Sequence, residues 1–198
     1  MRNSSNRLKK ASFLGGFFVV IFLALTACDA SSADGKMVFR YNESAGIPSL
    51  DPAFAKEKSS IWVVQQLYEG LVALDSGNEI VPALAMNWQV DSSATIYTFQ
   101  LREASFHNGK TLEAEDVVYS LNRLKDPKVA SPGSWVVGDI AKIQILNASS
   151  VKIILRQPNA SFLSLLAMPF CSIIPKDAET LNTTPLGTGP FKFHVWHY

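Results

Sequence analysis

A mixed α and β fold is predicted by three stretches of the 198-residue sequence. In residues 114–124, Val117, Leu121 and Leu124 recur at spacings of four and three, which makes one apolar stripe on a helix. In residues 95–101, Tyr97, Phe99 and Leu101 alternate with their neighbours, the period of a half-buried strand. Residues 140–146 and 151–155 are two further strand patterns joined at 147–150, read as a hairpin. A composition of 47% hydrophobic and 18% charged residues is that of a globular chain, not a disordered one.

The amino terminus stands apart from that fold. Arg2, Arg7, Lys9 and Lys10 precede an apolar run over residues 13–25, the basic and hydrophobic regions of a secretory signal. At 13 residues the run is shorter than the ~20 of a permanent membrane span. Leu25-Thr26-Ala27-Cys28 resembles the lipobox of bacterial lipoproteins. That resemblance implies removal of residues 1–27, lipidation of Cys28 and anchorage to the membrane; the competing reading is an ordinary signal with an incidental cysteine. Asp29 resembles the signal that retains such lipoproteins at the inner membrane of enteric bacteria. Residues 28–36 are small and polar and read as a tether to the folded part, residues 37–198. Loss of the signal takes the formal charge from +1 to −3, because its basic residues have no acidic counterpart. A mildly acidic protein lacks the footprint of a nucleic-acid binder, so nucleic acid is set aside as a partner.

Within the folded part, Met37, Phe39 and Tyr41 alternate as a short strand, followed by a loop over residues 42–48. Ser59 or Ser60 is expected to cap a helix with the stripe Ile61, Val64, Leu67 and Leu71, and Gly70 suits its carboxyl-terminal turn. Residues 80–82 and 86–90 read as short strands, punctuated by turns at 75–78 and 91–93. Asn108-Gly109 supplies the turn before the helix of residues 114–124. Glu113, Glu115 and Asp116 place negative charge on that helix's first turn, where its unpaired amides favour it. Glu113 is a poorer cap than Ser or Thr, by about 1 kcal/mol. Asp126-Pro127 ends the helix, and residues 128–138 form a loop carrying Pro132, Gly133 and Trp135. After the hairpin come a short helix over 161–166, a strand at 173–175, a loop over 183–189 and an alternating strand at Phe191, Phe193 and Val195.

Catalytic and metal chemistry find little support in the residues. His107, His194 and His197 are the only histidines, and no GxSxG elbow provides a nucleophile. On a strand, His194 and His197 would face opposite ways, so no metal site is assigned. Gly187-Thr188-Gly189 lacks the third glycine of a phosphate loop, Lys192 standing in its place. Cys171 has no disulfide partner left and reads as a small buried hydrophobe.

Four blocks carry more than physics alone. In order they are SLDPAFA (49–55), QLYEGLVALDSGNEIVPALAMNWQV (66–90), FHNGK with AEDVVYSLNRL (106–110 and 114–124), and PLGTGPFKF (185–193). Together they resemble the oligopeptide-, dipeptide- and nickel-binding family of solute-binding proteins that serve ABC importers. One departure is a linker of only Ala104 and Ser105 before Phe106, one residue shorter than the family pattern, which predicts a tighter turn.

The resemblance implies an α/β (mixed α+β) lobe like those of type II periplasmic binding proteins. Family members are longer, so the chain reads as an amino-terminal part without the second lobe. The implied role is a lipid-anchored extracytoplasmic receptor that delivers a solute, by default a peptide, to the permease and ATPase subunits of an importer. No cofactor or enzymatic activity is implied. A non-transport envelope lipoprotein, such as a sensor partner or chaperone on the same scaffold, is the alternative, with a secreted hydrolase behind it. The implied ligand-facing residues are Asn42, Glu43 and Ser44 after the first strand, Tyr68 at the end of the second block's helix, and Trp135. Tyr68 could equally be core, and Trp135 could instead pack on Ile143 and Ile153 of the hairpin.

Overall fold

A computed structural model describes residues 38–44 and 46–196. The signal, Cys28, the whole tether and His197 lie outside those residues. The chain divides into two units, Met1–Asn42 and Glu43–Tyr198. In the first, residues 38–42 are exposed irregular backbone. The strand expected at residues 37–41 is therefore not formed over its described part. Alternation marks which side chains would share a face, but it does not supply the ladder that makes a strand.

The second unit is built on a four-stranded antiparallel sheet. Its strands are β3 (Ala85–Val90), β4 (Ile96–Leu101), β5 (Ile140–Asn147) and β6 (Ser150–Leu155), in the order β3-β4-β6-β5. A separate hairpin pairs β1 (Val72–Leu74) with β2 (Ile80–Pro82). The expected alternation holds where it was clearest. Tyr97, Phe99 and Leu101 of β4 are buried, and so are Val151, Ile153 and Leu155 of β6, which pairs with it. Helix α2 (Ala114–Arg123) covers β5 and β6 with Val117 and Leu121, and Leu124 just beyond its end is buried too. Helix α3 (Phe162–Leu166) packs beside β1 and sets Phe162 against Tyr97, ring centroids 4.8 Å apart.

The start of α2 corrects the expectation of a weak cap. Glu113 is the cap residue, but Asp116 reaches back from the first turn and its Oδ2 accepts the Glu113 N–H at 2.9 Å. Its Oδ1 accepts the Lys176 N–H at 2.9 Å, so this buried carboxylate ties the helix to the chain that passes residues 173–175.

Helix α1 (Lys58–Leu67) begins before Ser59 and Ser60, with Glu57 at the cap position. Neither serine caps it; Ser60 is buried inside the helix and its Oγ accepts the Ser49 N–H at 3.2 Å. The helix ends at Leu67 with Tyr68 extended, so Gly70 is not its terminating residue. Residues 173–175 are buried but irregular: the Ile173 N–H donates to Glu69 O, and the Ile174 N–H to Ser120 Oγ. Residues 191–196 likewise form no regular strand. Both segments spend backbone donors on helices and loops instead of a neighbouring strand, as the Phe191 N–H does on Gln66 O.

Candidate ligand-facing site

The loop over residues 183–189 closes onto the end of α1. The Gly189 N–H donates to Leu67 O at 3.0 Å, and the Phe191 N–H to Gln66 O at 3.0 Å. A Cβ on Gly187 would stand 1.9 Å from Leu67 O, and one on Gly189 2.5 Å from Leu67 C. Only glycine permits backbone to approach backbone this closely. His107 reads the same loop from the other side. Its N–H donates to Gly187 O at 2.9 Å, and its Nε2 lies 2.9 Å from Gly189 O. A carbonyl can only accept, so Nε2 carries the proton.

Three buried polar atoms around this junction, Tyr68 Oη, His107 Nδ1 and Thr188 Oγ1, have no hydrogen-bond partner among the described residues. Tyr68 is 3% exposed and packs with Val64, Leu67 and Ile174. Burial, and then the charge of Asp51, push its phenol well above the ordinary tyrosine range.

Asp51 and Arg123 form a forked ion pair that fastens the SLDPAFA block to α2. Arg123 Nη1 donates to Asp51 Oδ1 at 2.9 Å, and Nη2 donates to Oδ2. Asp51 also caps the 3-10 turn Pro52–Phe54, its Oδ1 accepting the Ala53 N–H at 2.9 Å. Burial works against the guanidinium charge, yet the Asp51 bonds more than offset it and Arg123 stays above its usual value.

Trp135 occupies a 3-10 turn, Ser134–Val137, inside the segment expected to be a plain loop. The turn is held at both ends and on its inner side. Before it, Ser131 Oγ donates to Ala53 O at 2.5 Å and accepts the Gly133 N–H at 3.0 Å. Gly133 lies so close to Phe170 that a Cβ would fall 2.4 Å from its Cγ. Val136 and Val137 are buried in the main core. After the turn, Arg156 Nη1 donates to Gly138 O at 2.5 Å and Lys125 Nζ to Ile140 O at 2.5 Å. Trp135 itself is 59% exposed, so it does not pack into the core beneath the hairpin.

Family 5 of the bacterial extracellular solute-binding proteins has a model that matches residues 79–197. The chain belongs to that family. Among solute-binding relatives, di/tripeptide-binding protein 2 of Pseudomonas aeruginosa is 31% identical over 89% of this chain and 38% of its own length. The structure of Listeria monocytogenes OppA bound to peptide superposes with a TM-score of 0.74 at 30% identity, covering 82% of this chain and 37% of OppA. The AgaA binding protein in complex with agropinic acid, from A. tumefaciens, gives 0.73 at 33% identity, covering 77% and 32%. The fold is that of the type II periplasmic binding proteins, of which this chain spans roughly a third.

In this family 5 chain the expected site residues fall in different places. Asn42 closes the first unit and is exposed; Glu43 and Ser44 open the second, Glu43 half-buried and Ser44 exposed, with Glu43 O accepting the Gly46 N–H. Tyr68 belongs to the smaller apolar cluster, whereas the residues that anchor Trp135 belong to the larger one. The structure therefore does not gather Tyr68 and Trp135 into one cluster. Sequence reading missed His107 as the residue that grips the glycine loop, and Arg123 as the partner of Asp51. Both lie inside the resembling blocks, and only their block membership marked them.

Proposed function

We propose that the protein is the solute receptor of an ABC importer, capturing a peptide and delivering it to the membrane permease. The observation that carries this reading is Trp135: a large aromatic left 59% exposed on a turn that every neighbouring contact immobilises. A flat ring presented from a fastened turn suits the wall of a concave site. Peptide is favoured because the Pseudomonas relative is a di/tripeptide-binding protein and the Listeria structure holds a peptide. Capture proceeds by closure of two lobes around the solute, the closed state being the one the permease recognises. Asn42, Glu43 and Ser44 are further contacts on the strength of the resemblance. Tyr68, which a Cβ on Gly187 would meet at 2.7 Å, serves as a support beneath the glycine loop.

In the receptor, Trp135→Ala should weaken tripeptide binding in calorimetry by tenfold or more while leaving Tm nearly unchanged. Unaltered affinity would remove Trp135 from the site. Lipid anchorage at Cys28 is part of the same proposal, supported by the order of basic region, apolar run and small-residue cleavage site. Several acyl chains together would anchor stably where a single one binds only marginally. Mass spectrometry of the native product should find Cys28 acylated at the new amino terminus, and an unmodified cysteine would refute the anchor.

A further inference from the structure

We infer that Arg156 and Lys125 are positioning residues that set the direction in which Trp135 presents its indole; this rests on the reading of Trp135 as a wall of the solute site. The link from the ring to the cations is short. Trp135 O accepts the Gly138 N–H at 3.0 Å, and Gly138 O accepts from Arg156 Nη1. The next two carbonyls are also taken, Asp139 O by the Arg156 N–H at 2.9 Å and Ile140 O by Lys125 Nζ. Three consecutive carbonyls at the end of the turn are thus gripped by donors from two other places, the residue after β6 and the residue after Leu124 at the end of α2.

Two cations suit the carbonyl end of a helical turn, Arg156 reaching it from an exposed position and Lys125 from a half-buried one. Neither Arg156 nor Lys125 forms an ion pair among the described residues. The nearby acids are engaged elsewhere: Asp139 Oδ2 accepts from Asn159 Nδ2 at 2.8 Å, and Asp126 Oδ1 accepts the Lys128 N–H at 2.9 Å. Burial, and then the neighbouring Arg156 charge, disfavour the Lys125 ammonium. Val136 and Val137 bury the inner side of the turn, and Ser131 and Gly133 hold its start, so the carbonyl end is the part the two cations fasten. The exposed side chain whose backbone leads into that end is Trp135.

The test uses the chain labelled with 5-fluorotryptophan, whose four tryptophans give four fluorine resonances, the Trp135 line being assigned by its loss in Trp135→Phe. In the double variant Arg156→Gln with Lys125→Gln, the Trp135 line should shift by more than its own width while the Trp88 line stays in place. Arg156→Lys, which keeps a charged donor, should return the line toward its original position. A Trp135 line that stays put in the double variant overturns the inference, and so does equal movement of the Trp88 line, which would mean general loosening. If the double variant fails to fold, Arg156→Gln alone is read in the same way. Positioning and solute contact are separable: a moved line together with unchanged tripeptide affinity in Trp135→Ala would keep the clamp and discard the wall.

Discussion

Gly187→Ala should be among the most damaging single-methyl changes in the chain. The added Cβ would stand 1.9 Å from Leu67 O, 2.8 Å from Leu67 C and 2.7 Å from Tyr68 Cδ1, so backbone on one side or the other must move. Overpacking of this kind costs about 1–3 kcal/mol. Movement of the loop also stretches the bonds that close it: His107 N–H to Gly187 O, Gly189 N–H to Leu67 O, Phe191 N–H to Gln66 O and His107 Nε2 to Gly189 O. Losing two of them adds about 2 kcal/mol, for a total of about 3–5 kcal/mol against the ~5–15 kcal/mol that holds a domain together. Urea denaturation followed by circular dichroism would read the change as a fall in midpoint at constant slope. Gly109→Ala is the control. Its φ of +86° makes alanine strained, but nothing lies within 4 Å of the new methyl, so only the left-handed cost of about 1–2 kcal/mol applies. If Gly187→Ala were no more destabilised than Gly109→Ala, the close approach of loop to helix would be refuted.

Arg123→Met should cost about 3 kcal/mol or more in the same denaturation assay, because it leaves Asp51 buried and uncompensated; adding Asp51→Asn should recover part of the loss, and a single-variant cost below ~1 kcal/mol would contradict the pairing. Asp91 is held down to about 2 by the Ser93 hydroxyl first, and by the Ile96, Thr95 and Ser93 amides. A depressed folded value means that its contribution is complete above the ordinary carboxyl value of ~3.9 and is lost as pH falls through about 2. Carboxyl carbon NMR should therefore place its titration below that of other aspartates, and Ser93→Ala should raise it; an unmoved value would discount the hydroxyl. Burial pushes the Cys171 thiol up to about 12, so it should resist a disulfide reagent at mildly alkaline pH in the native protein and react fully once denaturant is added. Rapid native labelling would show the site to be open.

Local pattern was enough wherever one face decided the outcome. The two-residue period of β4 and β6 and the three-and-four spacing of α2 named Tyr97, Phe99, Leu101, Val117 and Leu121 as core, and they are buried. The order of four short blocks was enough for the family, since residue identity at turns and close contacts survives where composition says nothing. Local pattern failed where the deciding partner lies far along the chain. Ser60 looks like a cap until its hydroxyl is needed by Ser49, and Glu113 looks like a poor one until Asp116 completes it. Leu71 fits the stripe of α1 in sequence, yet the helix ends at Leu67 and Leu71 leads into β1. Alternation at residues 37–41 and 191–195 specified faces but could not supply a ladder. Tyr68 and Trp135 looked alike in sequence, two aromatics near turns, and the fold alone separated them. One ring was drawn under the glycine loop by contacts from residues more than a hundred positions away, and the other was left in the open by a turn fastened on every other side. Burial is a property of what arrives from elsewhere in the chain, and a window of neighbouring residues does not contain it.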